Sequence, residues 1–179
     1  MVDAAACRRC HTIGGQGNAL ATNLDRVVWE REQSGLMTSI TRPVENMPAF
    51  GFDDDQAEAL IASLLSSARP GASEETYRVQ FVRDAARAPS TFDEKCGGCH
   101  RLLTSLGPRG AGRQGPNLSG LLTPFYPKTA PGDLPWSEKT LTEWLENPRA
   151  MRPLALMPPV AVSKQEMQEI LEQIRATGS

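Results

Sequence analysis

All four cysteines and both histidines of this chain stand in two pentapeptides, Cys7-Arg8-Arg9-Cys10-His11 and Cys96-Gly97-Gly98-Cys99-His100. Any fold the chain adopts has to give these two segments a purpose. Three rival chemistries use Cys-x-x-Cys pairs. A four-thiolate zinc site takes two such knuckles, but about 85 residues separate them here, against the usual 15–20 or so. Zinc also gives no reason for a histidine to follow directly each time. A thioredoxin-like dithiol needs a βαβ context that the sequence lacks. Two structural disulfides would leave both histidines unexplained.

The remaining reading accounts for all six residues. Two thiols spaced by two residues on a helical turn reach the two vinyl groups of one porphyrin. The adjacent histidine then lies beneath the ring, where it ligates the iron. The expected cofactor is therefore haem c, two per chain, attached through Cys7 and Cys10 and through Cys96 and Cys99, with His11 and His100 as iron ligands.

Composition fits a chain that leans on a cofactor. With 179 residues, 15 Gly, 14 Pro and few aromatics, two small halves would lack bulk for large cores. The net charge of −2 is too small to imply nucleic-acid or membrane-surface binding. No apolar run approaches membrane-spanning length. The opening Met-Val-Asp-Ala lacks the charged-then-apolar pattern of a secretory signal.

The two halves repeat one order of features. After His11 come Gly14, Gly15 and Gly17, then Asn23-Leu24, a polar helical segment ending at Pro43, Met47-Pro48, and a helix over about 54–67. After His100 come Gly107, Gly110, Gly112 and Gly115, then Pro116-Asn117-Leu118, a Trp144-bearing segment ending at Pro148, Met157-Pro158, and a helix over about 164–176. Ala57, Leu60, Ile61, Leu64 and Leu65 form one amphipathic stripe, and Met167, Ile170, Leu171 and Ile174 the other. Asp53 or Asp54 caps the first helix, and Ser163-x-x-Glu166 is a capping box for the second. Pro89-Ser90-Thr91-Phe92-Asp93 starts a short helix that delivers Cys96 and Cys99. Residues 74–88 read as a strand around Tyr77–Phe81 and then as helix, a conflict the pattern leaves open. The insert Leu121–Trp136 has no counterpart in the first half.

This order resembles the class I cytochrome c domain seen twice, as in dihaem cytochromes of the cytochrome c4 type. The resemblance covers nearly the whole chain. It implies an all-α fold of two tandem domains, over 1–70 and 90–179 with a linker over 71–89, each wrapped around a covalent haem with its first and last helices crossing. Only six residues precede Cys7, too few for the family's N-terminal helix. Asn23, Leu24, Pro116, Asn117 and Leu118 would line the haem edges. The family's sixth iron ligand, a methionine ahead of proline, matches Met47 and Met157.

The residues themselves leave methionine, lysine, tyrosine, an amine terminus or an open site opposite each histidine. Of Met1, Met37, Met47, Met151, Met157 and Met167, only Met47 and Met157 precede a proline in a loop ahead of a last helix. Proline fixes φ and removes a donor, which stiffens such a loop. Trp29, Tyr126, Trp136 and Trp144 are expected either to pack on a porphyrin or in the core, or to donate to a propionate. Arg101, Arg109, Arg113 and Lys128, in a stretch without acidic residues, are expected to be solvated or to offer a basic docking face. By contrast, Asp53-Asp54-Asp55 makes the first half locally acidic.

The expected function is electron transfer between redox partner proteins, donor and acceptor unnamed, rather than catalysis. The alternatives are a dihaem enzyme such as a peroxidase, and a haem-bearing subunit or domain of a larger respiratory complex, the latter compatible with electron transfer. Haem c attachment in bacteria takes place outside the cytoplasmic membrane, so the resemblance implies export, with the periplasm as the best fit and an extracellular or membrane-tethered place as the alternatives. Neither nucleic acid nor an integral membrane segment is expected.

Overall fold

A computed structural model describes residues 1–44, 46–71 and 88–175. Of the segment over 74–88, whose pattern left strand and helix open, residues 74–87 lie outside the described residues. Seven helices carry most of the architecture: α1 (Leu24–Glu30), α2 (Gln33–Thr41), α3 (Asp54–Ser67), α4 (Thr91–Lys95), α5 (Glu138–Glu146), α6 (Pro148–Met151) and α7 (Lys164–Arg175). Two two-stranded antiparallel sheets join them, β1 (Thr12–Ile13) with β2 (Gln16–Gly17), and β3 (Leu102–Thr104) with β4 (Gly107–Arg109). The fold is thus mostly helical, with hairpins where the sequence suggested only glycine-rich loops.

Both hairpins have local causes. Gly14 and Gly15 sit at φ 66° and 69°, the left-handed pair that a two-residue turn between twisted strands requires, and Ile13 pairs with Gln16 across them. In the second hairpin the Thr104 hydroxyl closes the turn. It accepts from the Leu106 amide at 3.1 Å and donates to the Gly107 carbonyl at 2.9 Å.

The long helices begin where capping chemistry puts them. Asp53 accepts from the Gln56 amide while the Gln56 side chain accepts from the Asp53 amide. Ser163 and Glu166 exchange the same reciprocal bonds ahead of α7, and Ser90 and Asp93 do so ahead of α4. Ala57, Leu60, Ile61 and Leu64 of α3 are buried, whereas Leu65 lies at the edge of the stripe and is exposed. In α7 Met167, Ile170 and Ile174 are buried and Leu171 is half-buried.

Two apolar clusters result. The first joins Val2, Ile13, Val28, Leu36 and Ile40 to the buried face of α3. Residues ahead of Cys7 form overlapping turns rather than a helix, with the Ala5 amide bonded to the Met1 carbonyl. Even so, Val2 is only 3% exposed, so this short lead contributes a core side chain. The second cluster joins Phe92, Leu102, Leu121, Tyr126, Leu141 and Leu145 to the buried face of α7. There α4 packs on α7, with Phe92 fully buried. Lys95 pairs with Glu166 at 3.1 Å, Ser90 donates to Gln173 at 2.9 Å, and Thr91 donates to Glu169.

A buried carboxylate ties the first half together. Asp25, 2% exposed, accepts from the amides of Gly14 (2.6 Å), Gly15 (2.8 Å) and Arg69 (2.9 Å). It thereby fixes the β1–β2 turn and the exit of α3 to the start of α1. Asp93 plays a similar part in the second half, accepting from Gly110 at 2.7 Å and from Arg109 at 2.8 Å. Burial alone would raise both carboxyl pKa values, but the bonds they accept hold each below its ordinary value. Folding stability is therefore expected to rise with pH up to about 4 and then level off. Asp25→Ala is expected to cost about 3 kcal/mol and to flatten part of that acid slope, as read by urea unfolding at pH 3 and pH 7.

Candidate haem-binding sites

Each pentapeptide is wound into one helical turn of the same form. The His11 amide bonds to the Cys7 carbonyl at 3.0 Å and the Cys10 amide to the same carbonyl at 3.1 Å. Their counterparts, His100 and Cys99 on the Cys96 carbonyl, measure 2.9 and 3.0 Å. The turn places the two thiols of each motif one after the other and leaves the histidine at its end. In the second motif α4 leads straight into Cys96, its C-cap. In the first, a 3-10 turn over Cys7–Arg9 follows Ala6 at φ 51°.

Both imidazoles are oriented the same way. His11 Nδ1 lies 2.7 Å from the Thr22 carbonyl oxygen, 11 residues on. His100 Nδ1 lies 2.9 Å from the Pro116 carbonyl oxygen, 16 residues on. A carbonyl can only accept, so the bond fixes the proton on Nδ1 and leaves the Nε2 lone pair for a metal. Desolvation pushes the His11 pKa below its ordinary value, which keeps the ring neutral and able to ligate.

Asn-Leu follows both carbonyls, and the asparagines perform one local task. Asn23 Oδ1 accepts from the Asp25 amide, and Asn117 Oδ1 from the Ser119 amide, each at 2.9 Å. These turns hold the carbonyls of Thr22 and Pro116 against the imidazoles. Asn23, lacking the preceding proline, keeps the geometry of Asn117. Leu24 packs against the first apolar cluster and Leu118 against the second.

Met47 lines the same cavity as Cys7, Cys10 and His11. This space, open to solvent, is walled mainly by apolar side chains including Ala21, Phe50 and Leu103. In the second half Cys96, Leu118 and Met157 border one cluster, and the Met157 sulfur accepts from the Trp144 indole at 3.1 Å. Of the other methionines, Met167 is a core residue and Met37 packs on the first cluster.

Glycine makes the second site possible at one position in particular. A Cβ on Gly115 would lie 2.2 Å from Cε1 of His100, so only glycine lets the chain pass this close to the ring.

The thiols suit a thioether bond better than a metal–thiolate bond. Burial raises the pKa of Cys7 and Cys10, and that of Cys96 to about 11, which disfavours the thiolate that zinc binding requires. None of the four cysteines is in a disulfide. Among the described residues no group of three or more His, Cys, Asp or Glu side chains is arranged to hold a metal ion. The donor set of each site, two thiols and one imidazole with its Nδ1 held by a carbonyl, at the first site on the wall of a mainly apolar space, fits a covalently held porphyrin.

The first motif also meets the second half of the chain. Leu103 packs against Cys10, Leu20 and Ala21. Asn18 donates to Thr123 at 3.1 Å, Asn117 donates to the Asn46 carbonyl at 3.1 Å, and the Arg9 guanidinium stands 5.5 Å over the Tyr126 ring. Thr123 and Tyr126 belong to the insert over 121–136, so one end of that insert serves this contact.

The aromatic side chains find partners within the protein. Tyr126 donates to the Asn117 carbonyl at 3.1 Å and Trp136 to Thr129 at 3.0 Å, while Trp29 is largely exposed. Of the expected basic face, Arg109 is committed to Asp93. Sequence reading missed Asp25, Asp93, Gly115 and the bond from Trp144 to Met157. The glycine-rich stretches were the one available signal for Gly115.

Residues 2–62 of the 179 match the family model described as cytochrome c oxidase, cbb3-type, subunit III. This cytochrome c domain match supports a c-type cytochrome, with covalently bound haem c, haem-based electron transfer and redox partners. No solved structure matches the chain. Among the described residues no helix is long and apolar enough to cross a membrane.

If both motifs carry a six-coordinate haem, Gly115→Ala is expected to push the His100 ring aside and convert the second haem from low-spin to high-spin. Visible spectra of the oxidised protein would show half the low-spin signal lost, with the signal of the first site unchanged.

Proposed function

We propose that this chain is a dihaem c-type cytochrome that passes single electrons between redox partner proteins on the periplasmic side of a bacterial membrane. The observation that carries this reading is the duplicated geometry of the two motifs. Each has the same helical turn and the same imidazole-to-carbonyl bond, with a methionine–proline loop bordering its apolar surroundings.

Cys7 and Cys10 would hold one haem through thioether bonds, and Cys96 and Cys99 the other. Bound there, each haem supplies a one-electron iron couple that accepts or gives an electron without making or breaking a bond. His11 and His100 would each present Nε2 to the iron, their rings locked by the carbonyls of Thr22 and Pro116. Met47 and Met157 would supply the opposite ligands. Thioether sulfur favours the reduced metal and raises the potential relative to a second histidine. Pro48 and Pro158 stiffen the two loops. The mainly apolar walls around His11 lower the local polarity, which also favours the less charged, reduced state.

Were Met47 and Met157 to ligate as well as His11 and His100, each iron would be held by two side chains of the protein and would offer no position for peroxide or another small substrate. This favours an electron carrier over a peroxidase, which needs a displaceable ligand and an acid–base group beside it. The contact of Leu103 with Cys10 and of Asn117 with Asn46 brings the two sites close to a shared boundary, which suits electron exchange within one chain. The match of residues 2–62 to an oxidase subunit favours a larger respiratory assembly as the setting. A native mass measurement on material from the source cell separates that setting from a free carrier.

Met47→Ala and Met157→Ala test the ligand assignment. Each is expected to abolish the far-red sulfur-to-iron band of one haem only, to lower its potential and to open it to carbon monoxide. If neither variant alters the spectrum, the assignment is wrong.

A further inference from the structure

Asn117 belongs to the loop that returns beneath His100, yet its side chain ends at the first site. The Ser119 amide can only donate, so the atom it meets at 2.9 Å is Asn117 Oδ1. The other end of the side chain, Nδ2, donates to the Asn46 carbonyl at 3.1 Å, 71 residues back in the chain. Asn46 is 4% exposed and lines the cavity of Cys7, Cys10 and His11, next to Met47. A buried carbonyl in an irregular loop has no helix or ladder to satisfy it. Here the partner comes from the other half.

Asn117 is itself fixed. The Ser119 hydroxyl donates to Oδ1 at 2.6 Å and accepts from the Leu103 amide at 2.8 Å. Tyr126 donates to the Asn117 carbonyl, and the Leu118 amide to the Arg101 carbonyl at 2.8 Å. Gly120, at φ 72°, lets the halves approach this closely, because a Cβ there would lie 2.7 Å from the Arg9 carbonyl oxygen.

The Asn46 carbonyl and the Met47 amide belong to one planar peptide. That amide donates to the Val44 carbonyl at 2.9 Å, so both polar ends of the plane leading into Met47 are held. Pro48 narrows the backbone choices of Met47 itself. The arrangement runs one way. Asn23 makes the same turn as Asn117, but among the described residues it has no bond to the loop of Met157. We propose that Asn117 is a positioning residue shared by the two sites: Oδ1 keeps the Pro116 carbonyl on His100, and Nδ2 holds the loop that brings Met47 to the first iron. The bond acts on the backbone beside Met47 and not on its sulfur. The first site is therefore incomplete without the second half, which also contributes Leu103 to its wall. The inference rests on the assignment of Met47 as an iron ligand.

The test is an imidazole titration of the oxidised dihaem holoprotein carrying Met157→Ala, in which the one remaining far-red band belongs to the first haem. Imidazole takes that iron only when Met47 leaves, so the concentration that halves the band measures how firmly the loop is held. Asn117→Ser keeps a hydroxyl to accept from the Ser119 amide but cannot reach Asn46. It is expected to lower that concentration about tenfold, the effect of one lost hydrogen bond. Tyr126→Phe removes a bond in the same contact between the halves but no donor to Asn46, and is expected to leave the concentration in place. An unchanged concentration in Asn117→Ser overturns the inference, as does an equal fall in Tyr126→Phe. Should Asn117→Ser fail to take up both haems, Asn117→Asp keeps the size of the side chain and its acceptor while replacing the donor. The same fall is then expected, and its absence overturns the inference. A protein that shows no far-red band before Asn117 is changed would instead overturn the assignment of Met47, and the inference with it.

Discussion

The hydrogen bond from each motif histidine to a backbone carbonyl is the constraint around which the rest is arranged. It selects the tautomer, aims Nε2 away from the chain and sets the distance at which the return segment passes beneath the ring. At His11 the carbonyl belongs to Thr22 and at His100 to Pro116, and in both places an asparagine turn holds it there. Replacing the histidine bond by water would leave a ring free to rotate, and a freely rotating imidazole is a poor axial ligand. The surrounding fold serves that placement. The hairpins bring the chain out of the motif, Asp25 and Asp93 fasten the glycine turns, and the capped helices α3 and α7 supply the apolar faces behind them.

The two halves reach one geometry by different local means. The second motif is delivered by a capped helix packed on α7, whereas the first is delivered by a few turns that bury Val2. The loop from histidine to carbonyl is longer in the second half, and its extra glycines let the chain crowd Cys99 and His100. The insert over 121–136 makes two kinds of contact from its two ends. Thr123 and Tyr126 meet the first motif, while Thr129 and Trp136 brace the surroundings of Met157. A segment with no counterpart in the first half thus accounts for much of the asymmetry between the sites.

Features with a local physical cause were legible in the sequence. The helices α3, α4 and α7 follow from caps and apolar periodicity, and their starts stand where Asp53, Ser90 and Ser163 put them. The pentapeptides announce their own chemistry because no other site type uses all six residues. The asparagines after the glycine loops were readable only through likeness to a family, and the structure supplies their reason, a turn that positions a carbonyl. What stayed hidden depends on contacts distant in sequence. Asp25 looks like one more acidic residue at a helix start until Arg69 is seen to donate to it across 44 residues. Trp144 reads as core packing until Met157 arrives from beyond α6. The hairpins were missed because strands this short carry no alternating pattern.

The number of haems joined to one chain tests the reading of both motifs most directly. Intact-mass measurement of the purified holoprotein under denaturing conditions, with haem per chain from the pyridine haemochrome spectrum, counts them independently. Two haems on every chain, both retained in acid acetone, is the result expected if each Cys-x-x-Cys-His turn is an attachment site. A single haem, or haem that extracts freely, would contradict the duplicated site on which the proposed function stands.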